Sequence, residues 1–498
     1  MYDDRILNAD LIQKLMSSEQ AASFFKDKMV VASSGFTKAG DSKAVLAALA
    51  VRAKTDPLKI SLITGASLGH DTDAALVEAE ALSLRLPFQV DRTLRKAINA
   101  GEVLFIDQHL GETANLLKAN NFPKIDIAVL EAIQINEDGS IVPTTSVGNS
   151  ASFAELADKI IIEINTKVPF SLCGLHDIFS TGTYPNRTEI PITAADTRIG
   201  TTSIPLDVTK IIGIVITEIV DSPAEIAPAD ASTTAISKHL IDFFTDEVGK
   251  GNLTKSLMPL QAGIGKVANA VLTGFMDSDF ENLTMYSEVL QDSTFDLLDA
   301  GKMLFASGSS ITVSEKYYER IFSDFEKYKD RVVLRPQDIS NAAEVIRRLG
   351  VISINTALEC DLYGNVNSTH VAGTDMMNGI GGSGDFARNA YLSVFVTQSV
   401  AKNDTISRIV PMVSHTDHNE HDVDIIVTEQ GLADLRGLAP RQRALKIIEN
   451  CVHPLYREQL QDYYNRALER GGHTPHLLEE AFSWYQLRTE TGTMNKSL

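Results

Sequence analysis

Short apolar runs alternate with amphipathic stretches along the whole chain, and this rhythm limits the fold more than any other feature. "MVVASSGF" (Met29–Phe36) reads as a strand ending in a turn, and "DSKAVLAALAVRAK" (Asp41–Lys54) as a helix with apolar residues at helical spacing. "ISLITGAS" (Ile60–Ser67), "VLFIDQ" (Val103–Gln108) and "IDIAVLEAIQI" (Ile125–Ile135) follow as strands, with helical segments between most of them. Such alternation predicts an α/β fold with a mainly parallel sheet and helices on both sheet faces. At 498 residues the chain is too long for one core. "DSPAEIAPADASTTA" (Asp221–Ala235) combines prolines, small residues and charges, and reads as a connection or, failing that, as a surface loop. The halves on either side look related. "INAGEVLFIDQHLG" (Ile98–Gly111) is similar to "LDAGKMLFASGSSI" (Leu298–Ile311), and each half passes from a strand through a Gly turn to a Gly-rich loop that opens a helix. The expected architecture is two tandem, duplicated open-sheet α/β domains, residues 1–225 and 226–498.

The formal net charge of −20 argues against a non-specific binder of nucleic acid or of an anionic membrane. It leaves room for an anionic ligand, because local donors can oppose a global charge. Runs such as "IIGIVI" (Ile211–Ile216) have strand length, far short of the roughly 20 residues of a spanning helix. The start "MYDDRILNAD" has neither a basic nor an apolar leader region. Cys173, Cys360 and Cys451 are widely spaced and give neither a disulfide framework nor a zinc pattern. These features lead us to expect a reduced, cytoplasmic protein.

Four places could carry chemistry. Glu288 interrupts the apolar run "LTMYSEVLQD", where strand alternation could turn it to water or an ion pair could neutralise it; burial without a partner is costly. "GIGGSGDFARNAYLS" matches G-x-G-x-x-G through Gly379, Gly381 and Gly384, but "VAGTDMMN" before it is no convincing strand, which argues against a nicotinamide site. What remains is a loop whose backbone N–H groups can meet negative charge. "LQAGIGKVANAV" (Leu260–Val271) is a second such loop upstream of Glu288. Two N–H-bearing loops with a carboxylate between them in sequence suit a nucleophile and its oxyanion hole. In "SHTDHNEHDVDIIVTEQGLADLRG", His415, His418 and His421 recur every third residue among acids; we read a polar loop rather than a metal site. Glu429 then ends an apolar strand, where ligands bind in open α/β sheets, although a helix cap or an ion pair would also account for it. Cys360 has no activating neighbour in sequence.

In order along the chain, these motifs resemble the acetyl-CoA hydrolase/transferase family of class I CoA-transferases. They stand here as "MPLQAGIGK" (Met258–Lys266), "MYSEV" (Met285–Val289), "VLRPQDISN" (Val333–Asn341), "NSTHVAG" (Asn367–Gly373), "NGIGGSGDF" (Asn378–Phe386) and "VTEQGLADLRG" (Val427–Gly437). "SGFTKAG" (Ser34–Gly40) and "LITGAS" (Leu62–Ser67) extend the resemblance over nearly the whole chain. It implies CoA-transferase-type domains and a ping-pong transfer of CoA between an acyl-CoA and a free carboxylate, with acetate, propionate and succinate as the acids. By the same resemblance Glu288 is the nucleophile, and the N–H groups of Ile264 and Gly382 form the oxyanion hole. Gly263, Ile264, Gly265, Lys266, Val267, Asn378, Gly382 and Lys402 contact CoA, Asn341 lies by the nucleotide and Glu429 by the acyl pocket. Coenzyme A and acyl-CoA enter as substrates, no cofactor or metal is permanently bound, and a homodimer is expected. Lys266 departs from the family pattern, which usually has Asn there. Acetyl-CoA hydrolysis and a non-catalytic metabolite sensor are the competing functions.

Overall fold

Strands of the N-terminal half are short, rich in Ile and Val, and buried along nearly their whole length, as in Val30–Ser33 and Ile127–Ala132. Runs of this kind belong to parallel sheets covered on both faces. The computed structural model describes residues 4–224 and 227–496, so the expected boundary between 225 and 226 lies outside the described residues. The chain divides into two compact units. One holds the described residues of Met1–Glu225 together with Met285–Leu298 and Leu304–Leu349; the other holds Ile226–Thr284, Asp299–Met303 and Gly350–Leu498, again as described.

Seven strands build the sheet of the first unit: β1 (Val30–Ser33), β2 (Ile60–Ile63), β3 (Leu82–Leu86), β4 (Leu104–Phe105), β5 (Ile127–Ala132), β6 (Lys159–Asn165) and β7 (Ile211–Thr217). Their spatial order is β4-β3-β2-β1-β5-β6-β7, and every pairing is parallel. The order reverses between β1 and β5, the switch point beside which open α/β sheets form a crevice at their strand C-termini. Val31, Leu46, Leu49, Leu62, Leu76, Ile127 and Ile161 lie in one core cluster that joins the strands to their helices. The strand expected at Val103–Gln108 is only two residues long. The helix expected from Asp41 begins at Val45, because buried polar contacts capture the preceding residues.

In the second unit β8 (Leu260–Ala262), β9 (Ile352–Thr356), β10 (Leu392–Val396) and β11 (Ile425–Thr428) run parallel in that spatial order. A tight hairpin adds the antiparallel edge strand β12 (Gly431–Asp434). The C-terminal helices pack their apolar faces, including Ile447, Tyr456, Leu460 and Trp484, against Cys360, Phe395 and Ile426. Among the described residues no helix is long and apolar enough to cross a membrane.

Candidate active site

Glu288 sits at a break in a strand. Leu283–Tyr286 and Val289–Leu290 are extended, and Ser287 and Glu288 between them are not. The break is held on its main chain: the Glu288 carbonyl accepts from Ser309 N at 2.6 Å and Ser310 N at 3.0 Å, and Ser287 N donates to Ser307 O at 2.9 Å. Val289 and Leu290 then pair in parallel with Ser310 and Ile311. The side chain is buried, and its Oε1 accepts from Asn341 Nδ2 at 2.8 Å. Among the described residues no cation pairs with it. Burial therefore dominates and pushes the carboxyl up to about 7, against the downward pull of the Asn341 amide. A carboxylate kept dry and bonded by one neutral donor is a poor structural anchor and a competent nucleophile. Asn341 ends the short helix Gln337–Ser340, whose Gln337 N donates to Gly148 O at 2.9 Å and whose Gln337 Nε2 donates to Leu110 O at 2.8 Å. Val289 shares a small apolar cluster with Phe36, Ala66, Phe88 and Leu110.

The remaining candidates belong to the second unit. Gly263 follows β8, and its N–H donates to Ile354 O at 2.9 Å. Ile264 is exposed, and Gly265 has φ +108°, a conformation that favours glycine, just before the helix Lys266–Gly274. Lys266 Nζ lies 2.5 Å from Asp230 Oδ2, a pairing not foreseen from sequence, while Val267 opens the same helix. Asp230 also caps the helix Ala231–Gly249, and the Lys266 ammonium together with the Thr233 N–H holds its carboxyl down at about 2. Gly382 precedes the one-turn helix Ser383–Ala387. Asn378 Nδ2 donates to Ser368 O at 3.1 Å and Gly379 O at 2.9 Å, so this side chain braces the loop. Lys402 lies in a turn with φ +50°.

Glu429 and Gln430 form the two-residue turn that joins β11 to β12, where Thr428 pairs with Gly431. This places Glu429 at the strand C-terminus, but in a hairpin rather than at a helix cap. Its carboxylate accepts from Ser399 N at 2.8 Å, from the Ser399 hydroxyl, and from Gln430 Nε2 at 3.0 Å. Burial works to raise its pKa, yet these three donors bring it below the usual value. β8, β9, β10 and β11 are parallel neighbours, so Gly263, Ser399 and Glu429 all lie beyond strand C-termini on one edge of this sheet. Ser399 carried no motif, and only its place after β10 could have drawn notice to it.

The three histidines part company. His418 is buried with Nε2 3.1 Å from Ser383 Oγ, His415 pairs with Asp417 at 3.2 Å and packs at a tilt against His370 with ring centroids 3.9 Å apart, and His421 is exposed. Among the described residues no three His, Cys, Asp or Glu side chains group as a metal site. Cys360 is fully buried and its thiol is pushed well above its ordinary pKa, first by desolvation and then by Asp361.

Comparison with known proteins converges on one family. The acetyl-CoA hydrolase/transferase N-terminal domain matches residues 2–216, and the C-terminal domain of the same name matches residues 315–464. The chain is 48% identical over 495 residues to a succinyl-CoA:acetate CoA-transferase of Clostridium kluyveri, covering 99% of this chain and 92% of that protein. It is 44% identical to an acetyl-CoA hydrolase of Schizosaccharomyces pombe (99% and 98% covered). It is 43% identical to a propanoyl-CoA:succinate CoA transferase of Escherichia coli (96% and 98% covered). Among solved structures, RipA from Yersinia pestis superposes with a TM-score of 0.71 at 22% identity, covering 91% of this chain and 97% of that one. At that identity the likeness speaks to fold alone.

Proposed function

Because this chain belongs to the acetyl-CoA hydrolase/transferase family and is an enzyme of the CoA-transferase kind, we propose that it moves CoA between a short-chain acyl-CoA and a free carboxylate, with Glu288 as the covalent nucleophile. Acetate with succinate or propionate is the acid pair, as the names of the bacterial relatives suggest. The observation that carries the reading is the buried Glu288 carboxyl, poised near neutrality with an amide donor and, among the described residues, no cation beside it.

In the reaction a Glu288 oxygen attacks the thioester carbonyl carbon, the C–S bond breaks, and CoA leaves as the thiolate. The product is an acyl-glutamyl anhydride. The thiolate then attacks the glutamyl carbonyl, the anhydride C–O bond breaks, and the first acid leaves as its carboxylate. A second carboxylate reverses both steps. Desolvation raises the basicity of the attacking oxygen and keeps water from the labile anhydride and the glutamyl-CoA thioester. The N–H groups of Ile264 and Gly382 act as oxyanion donors, Glu429 orients the acyl group, and Gly263, Gly265, Lys266, Val267, Asn341, Asn378 and Lys402 contact CoA. No resident cofactor is required. Three free cysteines suit a reducing compartment such as the cytoplasm, and the protein works as a homodimer.

The test is direct. Mixed with acyl-CoA and no acceptor, the protein should gain the mass of CoA on Glu288, and borohydride should inactivate the loaded form. Glu288→Ala should neither load nor transfer. Normal transfer by a folded Glu288→Ala protein would end this reading. Hydrolysis is the second reading, favoured by the name of the Schizosaccharomyces relative. It predicts acyl-CoA loss at the same rate with or without added acetate or succinate, whereas transfer predicts dependence on the acid.

A further inference from the structure

A buried charge cluster of the first unit includes Glu131 on β5, one of the two strands at the switch point where open α/β sheets form their crevice. Lys43 is its cation. Its side chain is fully buried, with Nζ 2.6 Å from Glu131 Oε1, 2.9 Å from Asp221 Oδ1 and 3.7 Å from Asp41 Oδ1. Burial alone would lower the pKa of this ammonium, but the three carboxylates hold it well above its ordinary value. Asn165 Nδ2 donates to Glu131 Oε1 at 2.7 Å, and Glu163 accepts the N–H groups of Lys43 and Val45 at 2.8 Å each. His70 Nδ1 lies 3.9 Å from Asp41 Oδ2, and the charges of this cluster also act on the Tyr318 hydroxyl.

Two consecutive threonines tie this network to Glu288. Thr144 Oγ1 donates to Glu131 Oε2 at 2.6 Å, and the Thr145 hydroxyl donates to Asp221 Oδ2. Thr145 O in turn accepts from Ile311 N at 2.9 Å, Val147 N donates to Ser309 O at 2.9 Å, and Gly148 N donates to Ser309 Oγ at 3.2 Å. Ser309 and Ser310 are the residues whose N–H groups grip the Glu288 carbonyl, and Ile311 pairs with Leu290. The path from ammonium to reactive residue is continuous and buried at each step. A cluster serving stability alone would need no link to the 309–311 segment.

We propose that Lys43 is a positioning residue for Glu288, fixing the Thr144–Gly148 segment through Glu131 and Asp221 and so the Ser309–Ile311 backbone that seats the nucleophile. This rests on Glu288 being the nucleophile. Lys43 itself touches no reacting atom. A misplacement of about 1 Å in a covalent step costs on the order of 100-fold in rate, so the expected signature is a loss in the loading step with binding unchanged.

The experiment measures single-turnover CoA loading and the acyl-CoA Kd for wild type, Glu288→Ala, Thr144→Val, Thr145→Val, Lys43→Met and Lys43→Met/Glu131→Gln. We expect loading to fall about 10- to 100-fold in Thr145→Val and Lys43→Met, with Kd within about twofold of wild type. In Lys43→Met the loss should deepen as pH rises, because the Glu131 carboxyl, whose pKa burial pushes up, then ionises without the Lys43 ammonium beside it. Glu131→Gln, added to it, should restore part of the rate and flatten that dependence. If Lys43→Met fails to fold, the two threonine variants, which keep the ion cluster, decide. Wild-type loading per folded molecule in both threonine variants, with Glu288→Ala dead, overturns the positioning role alone. Persistent loading in Glu288→Ala overturns the nucleophile assignment and this proposal with it.

Discussion

Asn341 Nδ2 and Glu288 Oε1 lie 2.8 Å apart, and among the described residues this amide is the group that eases ionisation of the buried carboxyl against the cost of desolvation. Asn341→Leu removes the donor at similar volume, so the carboxyl should titrate above 7. The rate at pH 7 should fall, and the rising limb of the pH–rate curve should move to higher pH. A curve of kcat/KM from pH 5.5 to 9 measures this, and an unmoved limb would mean the amide has no hold on the reacting group.

Glu288 also links stability to pH. Burial raises its pKa from an ordinary 4.5 to about 7, so the folded state binds the proton more tightly than the unfolded chain. The stability this gives is full below the unfolded value and is lost as pH rises through 7. Gln carries no charge to desolvate, so Glu288→Gln should match wild type in acid and exceed it at pH 8.5, by up to about 3 kcal/mol. Denaturant melts at pH 5 and 8.5 test it; a variant less stable than wild type at pH 8.5 would show that the carboxylate earns its place structurally.

Adjacent glycines should respond differently. Gly381 has φ +65°, so Gly381→Ala should cost about 1 kcal/mol in stability. Gly382 has φ −92°, which alanine adopts freely. If its N–H faces an oxyanion, Gly382→Ala should keep the melting temperature and lose turnover. Removing such a donor outright costs ~100-fold or more, so crowding it should cost at least several-fold. Thermal melts with steady-state kinetics separate the two effects.

Lys266 pairs with Asp230 at a half-exposed position, and exposed pairs contribute little to stability. Lys266→Ala should leave the melting temperature within about 2 °C. If the lysine serves a CoA phosphate, KM for acyl-CoA should rise several-fold and lose part of its dependence on salt. An unchanged KM would assign the lysine to Asp230 alone.

Periodicity made the β/α alternation readable, because buried parallel strands are unbroken Ile and Val runs. It overran the strand after Val103 and started the helix at Asp41. In the second case the error is physical: a Glu163 carboxylate, distant in sequence, accepts the first free N–H groups, and no local rule sees it. Glu288 stood out because it breaks an apolar run, and Glu429 because it ends one. The hydrogen bonds of Glu429 to Ser399 were invisible, since they join residues thirty positions apart. The Lys43 cluster was equally hidden. Its members lie scattered from Asp41 to Asp221, and each looks like ordinary surface charge until the sheet brings them together.

The residues from Leu304 to Leu349 belong to the same compact unit as the N-terminal sheet, and this has a consequence for how the chain acquires its shape during synthesis. Asp177 is buried against the Arg335 guanidinium, and Asp177 N donates to Leu334 O. A nascent chain that has emerged only as far as the first seven strands therefore carries an acid without its cation and a backbone N–H without its acceptor. Domains tend to fold as they leave the ribosome, N-terminal part first; here the first sheet must wait in an incomplete state until Arg335 has been added. A cut between the sequence halves would leave the N-terminal piece unfinished, and rejoining the pieces in trans would require association before folding could close.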